Sequence, residues 1–201
     1  MKRLVLFSHL TEVVLEKVFP LIFPASLTNK VLACMPCDGS LVGHSYDLFT
    51  SAWRDLAQQY HAGFVFINNT TNNLSQGIMK LQQANILLIT GGNVCVLLRN
   101  LRASGLDRAI LDFAQRDEYI IAGYSAGAMI LSPTIRLAAC SPDGNENADV
   151  GLSDFTALHL VESEIFPHYT PEYEGFLSSY RSTSMYPVIP LTDDEYLVID
   201  R

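Results

Sequence analysis

Short apolar runs alternate with longer amphipathic segments along the first two thirds of the chain. The runs are rich in Val, Ile, Leu and Phe, which is typical of strands buried on both faces of a sheet. They predict strands at residues 3–8, 30–35, 63–68, 85–90 and 119–122.

The segments between these strands predict helices. The clearest helix spans residues 43–60, where Tyr46, Phe49, Trp53 and Tyr60 recur at helical spacing and form one apolar stripe. Further helices are predicted at residues 10–22, 74–84, 94–103 and 106–115. Strands that alternate with helices indicate βαβ units. We therefore expect an α/β fold, a three-layer αβα sandwich around a mostly parallel sheet.

Beyond Ser125 the pattern is weaker. A short helix ends near Pro133, and residues 141–149 are rich in turn formers and acids, which predicts an exposed loop. A strand-like segment at 158–166, a helix after Pro171 and a last strand at 195–199 follow. Without an internal repeat or a linker, residues 1–201 are expected to form a single domain.

Composition narrows the functional classes. The chain is 49% hydrophobic and 17% charged, against about 25% charged in an average domain, which excludes a disordered protein. The net charge of -8 argues against nucleic acid as a partner, and an acidic substrate would need a local cationic pocket. No apolar run approaches the ~20 residues of a membrane span, so we expect a soluble, cytoplasmic protein without a membrane partner. The high apolar fraction is compatible with a homodimer.

The first candidate for chemistry is the segment Gly123-Tyr124-Ser125-Ala126-Gly127, which lies between a strand and a helix. In this G-x-S-x-G pattern the glycines permit a sharp turn that exposes the serine hydroxyl. Ser125 is therefore a candidate nucleophile, and the Ala126 amide is a candidate oxyanion donor. The alternative is an ordinary turn whose small residues allow close packing.

A second loop, Gly91-Gly92-Asn93, also closes a strand and opens a helix. Both loops lie at the carboxyl edge of the predicted sheet, where ligands bind in open α/β folds. Gly92 could supply a second oxyanion donor, and Asn93 could cap its helix. A phosphate-binding turn is the competing interpretation, but neither glycine-rich phosphate motif is present.

A serine nucleophile needs a base, and five histidines are available. His9, His44 and His61 precede the nucleophile at loop or helix starts and are expected to be solvated. His159 falls within the strand-like segment, where a core or pairing role is expected. His168 ends that segment between two prolines that stiffen the backbone, which suits a base held in one orientation.

An acid should orient the histidine. An α/β-hydrolase has the order nucleophile, acid, histidine and needs several strands beyond the elbow, whereas only 76 residues (201 − 125) follow Ser125. We therefore favour the order Ser125, His168, acid. Downstream acids are Asp193, Asp194 and Glu195, and the acids between serine and histidine are Asp143, Asp149 and Asp154.

The cysteines do not predict a disulfide framework or a metal site. Cys34-Met35-Pro36-Cys37 has C-x-x-C spacing, but no helix clearly starts at its first cysteine and no second ligand pair exists for zinc. Structural thiols are the favoured interpretation. Cys95 is expected to pack in a helix.

The chain resembles the peptidase E family of aspartyl dipeptidases, serine peptidases related in fold to the class I glutamine amidotransferases. Four segments resemble the family in order: Gly91-Gly92-Asn93, Gly123 to Ala128, Pro133-Thr134-Ile135-Arg136 and Pro167-His168-Tyr169. The resemblance implies a class I glutamine amidotransferase-like fold and no metal or organic cofactor. It implies Ser125 as nucleophile, His168 as base, and the Gly92 and Ala126 amides as oxyanion hole. The family's acid, a glutamate before a late strand, falls on Asp193.

Two departures from the family pattern concern the substrate. Where the family continues I-R-T-T-N-D, this chain has Ile135-Arg136-Leu137-Ala138-Ala139-Cys140, which lacks the polar cluster and its acid. The family's arginine-rich helix after the histidine corresponds to residues 171–185, whose one arginine is Arg181. Arg136, Arg181 and Asn93 are thus the candidate substrate-binding residues.

The expected function is hydrolysis of a small peptide by a serine peptidase of this type, through an acyl-enzyme, with Asp-X dipeptides as one possible substrate class. A related exopeptidase or amidase of other specificity, such as one acting on isoaspartyl linkages, is the first alternative. The second is a binding domain that kept the elbow for its fold.

Overall fold

The computed structural model describes residues 1–39, 43–70 and 74–201, and the backbone alone of residues 43–45 and 74. In these ranges the strands are β1 (Lys2–Phe7), β2 (Val31–Met35), β3 (Gly63–Phe66), β4 (Ile86–Ile89), β5 (Tyr119–Tyr124), β6 (Glu164–Phe166), β7 (Val188–Pro190) and β8 (Tyr196–Asp200). The helices are α1 (Glu12–Ile22), α2 (Gly43–Gln59), α3 (Leu74–Gln83), α4 (Val94–Ser104), α5 (Leu106–Phe113), α6 (Ala126–Met129), α7 (Arg136–Cys140) and α8 (Glu174–Arg181). A 3-10 turn at Pro171–Tyr173 precedes α8.

Six strands form the main sheet in the order β3-β2-β4-β5-β1-β8. All neighbouring pairs are parallel except β1 and β8, which pair antiparallel with Leu4 opposite Ile199. The last strand therefore lies at the edge of the sheet beside the first. The carboxyl ends of the five parallel strands lie along one edge, where the two glycine-containing loops begin.

Alternate residues of the strands point into two separate apolar layers. Ile86 and Leu88 of β4 pack with α1 and α2, whereas Leu87 and Ile89 pack with α3, α4 and α5. All four side chains are fully buried or nearly so. Because both faces of the sheet are covered, its strands are continuous apolar runs. The predicted α/β architecture with helices on both sides of a mostly parallel sheet is confirmed.

Polar caps fix where the helices start. The Thr11 hydroxyl accepts a hydrogen bond from the Val14 amide at the start of α1, and the Asn93 side chain accepts one from the Val96 amide at the start of α4, at 2.9 Å. Gly105 ends α4 in the left-handed conformation with φ 74°. The helices predicted around these residues agree with the structure to within a few positions.

The predicted strand at 158–166 is wrong over most of its length, because only Glu164–Phe166 forms a strand. The amides of Leu158, His159 and Leu160 instead donate to carbonyls of residues 130–132 just after α6. His159 is exposed with φ 49°, so its predicted core role is wrong, whereas its side chain does pair, with Glu162 at 3.3 Å. An apolar sequence is compatible with either arrangement, and here the partner carbonyls belong to a turn.

A second, two-stranded sheet lies in the C-terminal part of the chain. Strands β6 and β7 pair in parallel, with Phe166 opposite Pro190. Beyond the strands the pairing continues, since the Tyr169 amide donates to the Leu191 carbonyl at 2.9 Å. Segments that follow two parallel strands end at the same place, and this brings residue 168 beside residues 191–193. In the described ranges no helix is both long and apolar enough to cross a bilayer.

Candidate active site

Ser125 lies in a strained turn directly after β5. Its backbone has φ 51° and ψ −119°, a combination that costs a non-glycine residue about 1–3 kcal/mol. Hydrogen bonds hold this conformation. The Ser125 amide donates to the Phe7 carbonyl at 3.0 Å, and the Ser125 carbonyl accepts from the amides of Ala128 and Met129 at 2.9 and 3.0 Å. The turn thus directs the Ser125 side chain away from the sheet and into the cleft.

The two glycines of the motif are required by close backbone approaches. A Cβ atom on Gly123 would lie 2.1 Å from the Gly127 carbonyl oxygen, and one on Gly127 would lie 2.0 Å from the Ile89 carbonyl oxygen. Neither position accepts a side chain without displacing backbone. The glycines of this motif are therefore needed for close packing, as the alternative interpretation proposes. Close packing of the glycines is compatible with an exposed serine between them.

The serine hydroxyl contacts His168. The distance between Ser125 Oγ and His168 Nε2 is 2.9 Å. His168 follows β6 and has φ 56°, so its backbone is also in the left-handed region. Its amide donates to the Ser8 hydroxyl at 2.7 Å, which fixes the start of this turn against the end of β1.

The other ring nitrogen of His168 contacts Asp193. His168 Nδ1 and Asp193 Oδ1 are 2.7 Å apart. The Nδ1 proton then belongs in this hydrogen bond, which leaves Nε2 as the acceptor for the Ser125 hydroxyl. The structure thus brings Ser125, His168 and Asp193 together in one hydrogen-bonded series, in the chain order favoured from the sequence.

The competing acids have other partners. Asp194 accepts from the Thr11 hydroxyl at 2.7 Å, and Glu195 accepts from the Thr192 amide at 2.8 Å, which closes the turn that presents Asp193. Asp143 accepts from the Tyr173 hydroxyl. Neither Asp149 nor Asp154 lines the cleft that contains Ser125.

Opposing effects set the charge state of Asp193. Partial burial acts to raise the pKa of its carboxyl group, but hydrogen bonds from His168 and Ser8 and the positive charge of protonated His168 and His9 outweigh burial and lower it. Asp193 is therefore ionised at neutral pH. An ionised partner stabilises the protonated form of His168, which a general base must reach during the reaction.

Ser8 is a site residue that sequence reasoning missed. It is fully buried, and its hydroxyl accepts from the His168 amide and donates to Asp193 Oδ1 at 3.3 Å. One signal was available: Ser8 is a polar residue directly after a buried parallel strand, at the same sheet edge as Ser125 and the Gly91 loop.

The Gly91 loop lies against the nucleophile. A Cβ atom on Gly91 would lie 3.1 Å from Ser125 Cβ, and Gly92 has φ 142° with Cys37 packed behind it. Ala126 is the first residue of α6, where amides have no partner in the preceding turn. Among described residues, neither the Gly92 amide nor the Ala126 amide donates a hydrogen bond.

A cleft of about 330 Å³ opens beside Ser125 and His168. Its apolar wall comes from α6, α7 and the end of β6, and its opposite wall comes from the loop at 141–149. The lining residues are Ser125, Ala126, Met129, Leu137, Ala138, Ser141, Asp143, Gly144, Asn145, Glu146, Phe166, Pro167 and His168.

The polar loop at 141–149 therefore forms a wall of the cleft, although its composition predicted only an exposed turn. Glu146 is the residue that attaches it. Glu146 Oε2 accepts from the Val94 amide at 2.7 Å, and the Glu146 carbonyl accepts from Asn93 Nδ2 at 2.9 Å. Burial raises the pKa of Glu146, although the bond from Val94 and the charge of His168 act in the opposite direction. Sequence reasoning missed Glu146.

The three predicted substrate-binding residues lie outside this cleft. Asn93 uses its side chain to cap α4 and to bind the Glu146 carbonyl. Arg136 is exposed and lines a different cavity, with Glu164 and Tyr186. Arg181 pairs with Glu174 at 3.0 Å near the end of α8. None of the three is among the described residues that line the cleft beside Ser125.

Of the remaining histidines whose side chains the structure describes, His9 is the one that contacts the site. Its ring lies edge-on to that of His168, with centroids 5.5 Å apart. His61 is exposed, as expected, and the side chain of His44 lies outside the described residues. Ligand atoms of His9, His168 and Asp193 lie within 4.8 Å of one another, which is a spacing that a metal ion could bridge. An ion there would occupy one nitrogen of the His168 ring, whose two nitrogens contact Ser125 and Asp193.

The cysteines are free thiols. Cys34, Cys37 and Cys95 are buried, and Cys140 is exposed. Burial raises the pKa of Cys34 and Cys37 well above the ordinary value, and Cys37 Sγ donates to the Asn93 carbonyl at 2.9 Å. The predicted interpretation of the C-x-x-C pair as structural thiols agrees with this environment.

Sequence comparison gives a family match over most of the chain. The model of peptidase family S51 matches residues 14–201. An uncharacterized peptidase of Listeria monocytogenes is 28% identical over 206 residues, which cover 99% of this chain and 95% of that protein. An uncharacterized peptidase of Pasteurella multocida is also 28% identical, over 100% and 94% of the two chains. Peptidase E of Escherichia coli is 36% identical over 93 residues, 46% of this chain and 38% of that protein.

Two solved structures have a similar fold. The crystal structure of a candidate peptidase E from Listeria monocytogenes superimposes with a TM-score of 0.74 at 25% identity and covers 99% of this chain and 94% of its own. A peptidase from an acI-B1 Actinobacterium has a TM-score of 0.73 at 16% identity, over 99% and 83% of the two chains, and so resembles this chain in fold.

Proposed function

The chain belongs to peptidase family S51 and is a serine peptidase, and from this premise we propose that it hydrolyses small peptides through an acyl-enzyme formed on Ser125. The observation that carries the proposal is the hydrogen-bonded series from Ser125 Oγ to His168 Nε2, at 2.9 Å, and from His168 Nδ1 to Asp193 Oδ1, at 2.7 Å. A serine hydroxyl is a weak nucleophile unless a base takes its proton, and this geometry provides the base and its orienting acid.

In the first half of the reaction, Ser125 Oγ bonds to the substrate carbonyl carbon while its proton moves to His168 Nε2. The carbonyl π electrons move to the oxygen and give a tetrahedral oxyanion. As the carbon–nitrogen bond breaks, His168 returns the proton to the leaving amine, and the acyl group remains as an ester on Ser125. Ionised Asp193 stabilises the protonated histidine throughout.

In the second half, water replaces the amine. His168 Nε2 takes a proton from the water as its oxygen attacks the ester carbonyl, and then returns that proton to Ser125 Oγ when the ester bond breaks. The products are a carboxylic acid and the free enzyme. In both halves the same atom, His168 Nε2, accepts a proton and then donates it, so a single neutral histidine is sufficient for the whole reaction.

The amides of Gly92 and Ala126 are the proposed oxyanion donors. Gly91 is adjacent to Ser125 Cβ, and Ala126 directly follows the nucleophile, so both amides belong to segments beside the reacting carbon. Neither has a competing acceptor among the described residues. Backbone donors of this type contribute about 3–4 kcal/mol to the stabilisation of the transition state.

The test is replacement of Ser125 with alanine. Wild-type protein should react with a fluorophosphonate probe and hydrolyse members of a dipeptide panel, whereas Ser125→Ala should do neither. Ser141→Ala is the matched control, because it removes another hydroxyl that lines the same cleft but has no bond to His168. Full peptide hydrolysis by folded Ser125→Ala would overturn the proposal. Absence of labelling and turnover in the wild type would favour a binding domain on the same fold.

A further inference from the structure

The ionisable residues that line the cleft are Asp143, Glu146 and His168. No lysine or arginine from the described part of the chain is among its lining residues. A carboxylate on a substrate would therefore enter a cleft with two acids and no permanent cation to compensate it. A substrate ammonium group would meet the opposite situation.

Of the two acids, Glu146 is the better held. Its Oε2 atom and its carbonyl are fixed to the start of α4 through Val94 and Asn93. In the described part of the chain, no hydrogen bond reaches Oε1. Asp143, by contrast, is exposed and already accepts from the Tyr173 hydroxyl. Glu146 thus presents one oxygen on a fixed, half-buried carboxylate.

Glu146 lines the same cleft as Ser125 and His168. The charge of His168 acts to lower the pKa of the Glu146 carboxyl group, so the two groups are within electrostatic range of each other. In a short peptide, the α-amino group is separated from the first carbonyl carbon by one carbon atom only. A carboxylate in the same cleft as the nucleophile is therefore suited to the amino terminus of the peptide.

We infer that Glu146 binds the free N-terminal ammonium group of the substrate, so that the enzyme is an exopeptidase for peptides whose first residue is neutral or basic. This inference rests on the proposed function, since it assigns the substrate class of the same site. It differs from the acidic substrate that the family resemblance implies, because the arginines that would recognise an acidic side chain lie outside the cleft.

A purely structural role for Glu146 predicts something different. If Glu146 only attached the 141–149 loop to α4, its replacement would impair every substrate equally. If it binds the ammonium group, the loss depends on whether the substrate has one. The Glu146→Gln variant separates these roles, because the amide oxygen can still accept from the Val94 amide while the negative charge is lost.

The experiment compares free and N-acetylated forms of Ala-Ala, Lys-Ala and Asp-Ala anilides. For free-amine substrates, Glu146→Gln should lower kcat/KM by about 10- to 100-fold, mainly through KM, as expected for one charge-assisted hydrogen bond. For the N-acetyl substrates, the wild type and the variant should have the same, lower kcat/KM. Asp149→Asn is the control, because Asp149 is an exposed acid of the same loop that does not line the cleft.

Wild-type preference for Asp-Ala over Lys-Ala, or an equal loss of kcat/KM on free and acetylated substrates, would overturn the inference.

Calorimetric titration of the same dipeptides into Ser125→Ala protein, with and without Glu146→Gln, measures ammonium binding without turnover. A free-amine ligand that binds about 10-fold or more weakly to the double variant supports the site even if the wild type hydrolyses no peptide. Equal binding to both proteins would contradict it. Failure of the proposed function is seen separately, as absence of fluorophosphonate labelling of Ser125.

Discussion

Ser8 and Asp193 are 185 positions apart in the chain, and the buried hydroxyl of one donates to the carboxylate of the other at 3.3 Å. The same hydroxyl accepts from the His168 amide at 2.7 Å. Ser8 is thus a positioning residue, which holds the base and its acid in one arrangement without contacting the cleft.

Replacement of Ser8 with alanine should lower kcat by about 5- to 30-fold and leave KM unchanged. The loss corresponds to about 1–2 kcal/mol, because the His168 amide loses its acceptor and Asp193 loses a donor, while no substrate contact changes. Steady-state kinetics on the preferred dipeptide measure both constants. An increase in KM with unchanged kcat would contradict a positioning role.

Asp193→Asn should reduce kcat by about 10³- to 10⁴-fold, because an asparagine cannot stabilise the protonated histidine and can favour the wrong tautomer. Asp194→Asn is the matched control in the adjacent position, since Asp194 binds the Thr11 hydroxyl and not His168. It should retain kcat within a factor of about two. If Asp194→Asn lost more activity than Asp193→Asn, the acid that orients His168 would be Asp194 and not Asp193.

Stability should depend on Asp193 in acid. The pKa of Asp193 is lower in the folded protein than the ordinary aspartate value of about 3.9. The ionised carboxylate therefore contributes its full stabilisation above the ordinary pKa, and this stabilisation is lost as the pH falls through the lower, folded-state pKa. The free energy of unfolding of wild type relative to Asp193→Asn should therefore decrease as the pH falls below about 4. Urea denaturation at fixed pH values measures this difference, and a difference that grows as the pH falls from about 4 to 2 would contradict the sign.

Two glycines should respond oppositely to alanine. Gly127→Ala should destabilise the protein by more than about 3 kcal/mol, because the new Cβ would lie 2.0 Å from a backbone oxygen of β4. Gly175→Ala in α8 meets no atom within 4 Å and should stabilise it by up to about 1 kcal/mol. Thermal unfolding of both variants checks this, and a harmless Gly127→Ala would refute the close approach at the elbow.

Thiol reactivity should be confined to one cysteine. Cys140 is exposed, whereas burial raises the pKa of the other three thiols, that of Cys95 to about 11. A thiol reagent such as DTNB should therefore modify one cysteine rapidly in native protein and four after unfolding. Cys140→Ser should remove the rapid phase. A second rapid phase in the native wild type would show that the C-x-x-C pair is accessible.

Much of the fold could be predicted because its signals are local. Continuous apolar runs such as β4 mark strands covered on both sides, and the G-x-S-x-G motif marks a sharp turn whose geometry its two glycines permit. The order of Ser125, His168 and a later acid followed from the short length of chain that remains after the serine. These features depend on residues that are neighbours in the sequence, or on the number of residues that follow Ser125.

The missed features depend on distant partners. Glu146 joins the cleft through the Val94 amide, 52 positions away, and nothing in its polar neighbourhood distinguishes a solvated loop from a wall. Residues 158–160 have the composition of a strand, but their amides find carbonyls of a turn instead of a neighbouring strand. Arg136 and Arg181 are candidates because they match segments of the family pattern, and a matching position does not tell which cavity a surface arginine faces.

The antiparallel strand β8 couples the catalytic acid to the edge of the sheet. Asp193 lies in the turn just before β8, and β8 is an edge strand that pairs with β1 alone among the described strands of the main sheet, from Tyr196 to Asp200. A change that detaches β8 from β1 would therefore displace the acid from His168, while Ser125 and His168 keep their places after β5 and β6. Loss of activity should then precede global unfolding when this edge of the sheet is weakened.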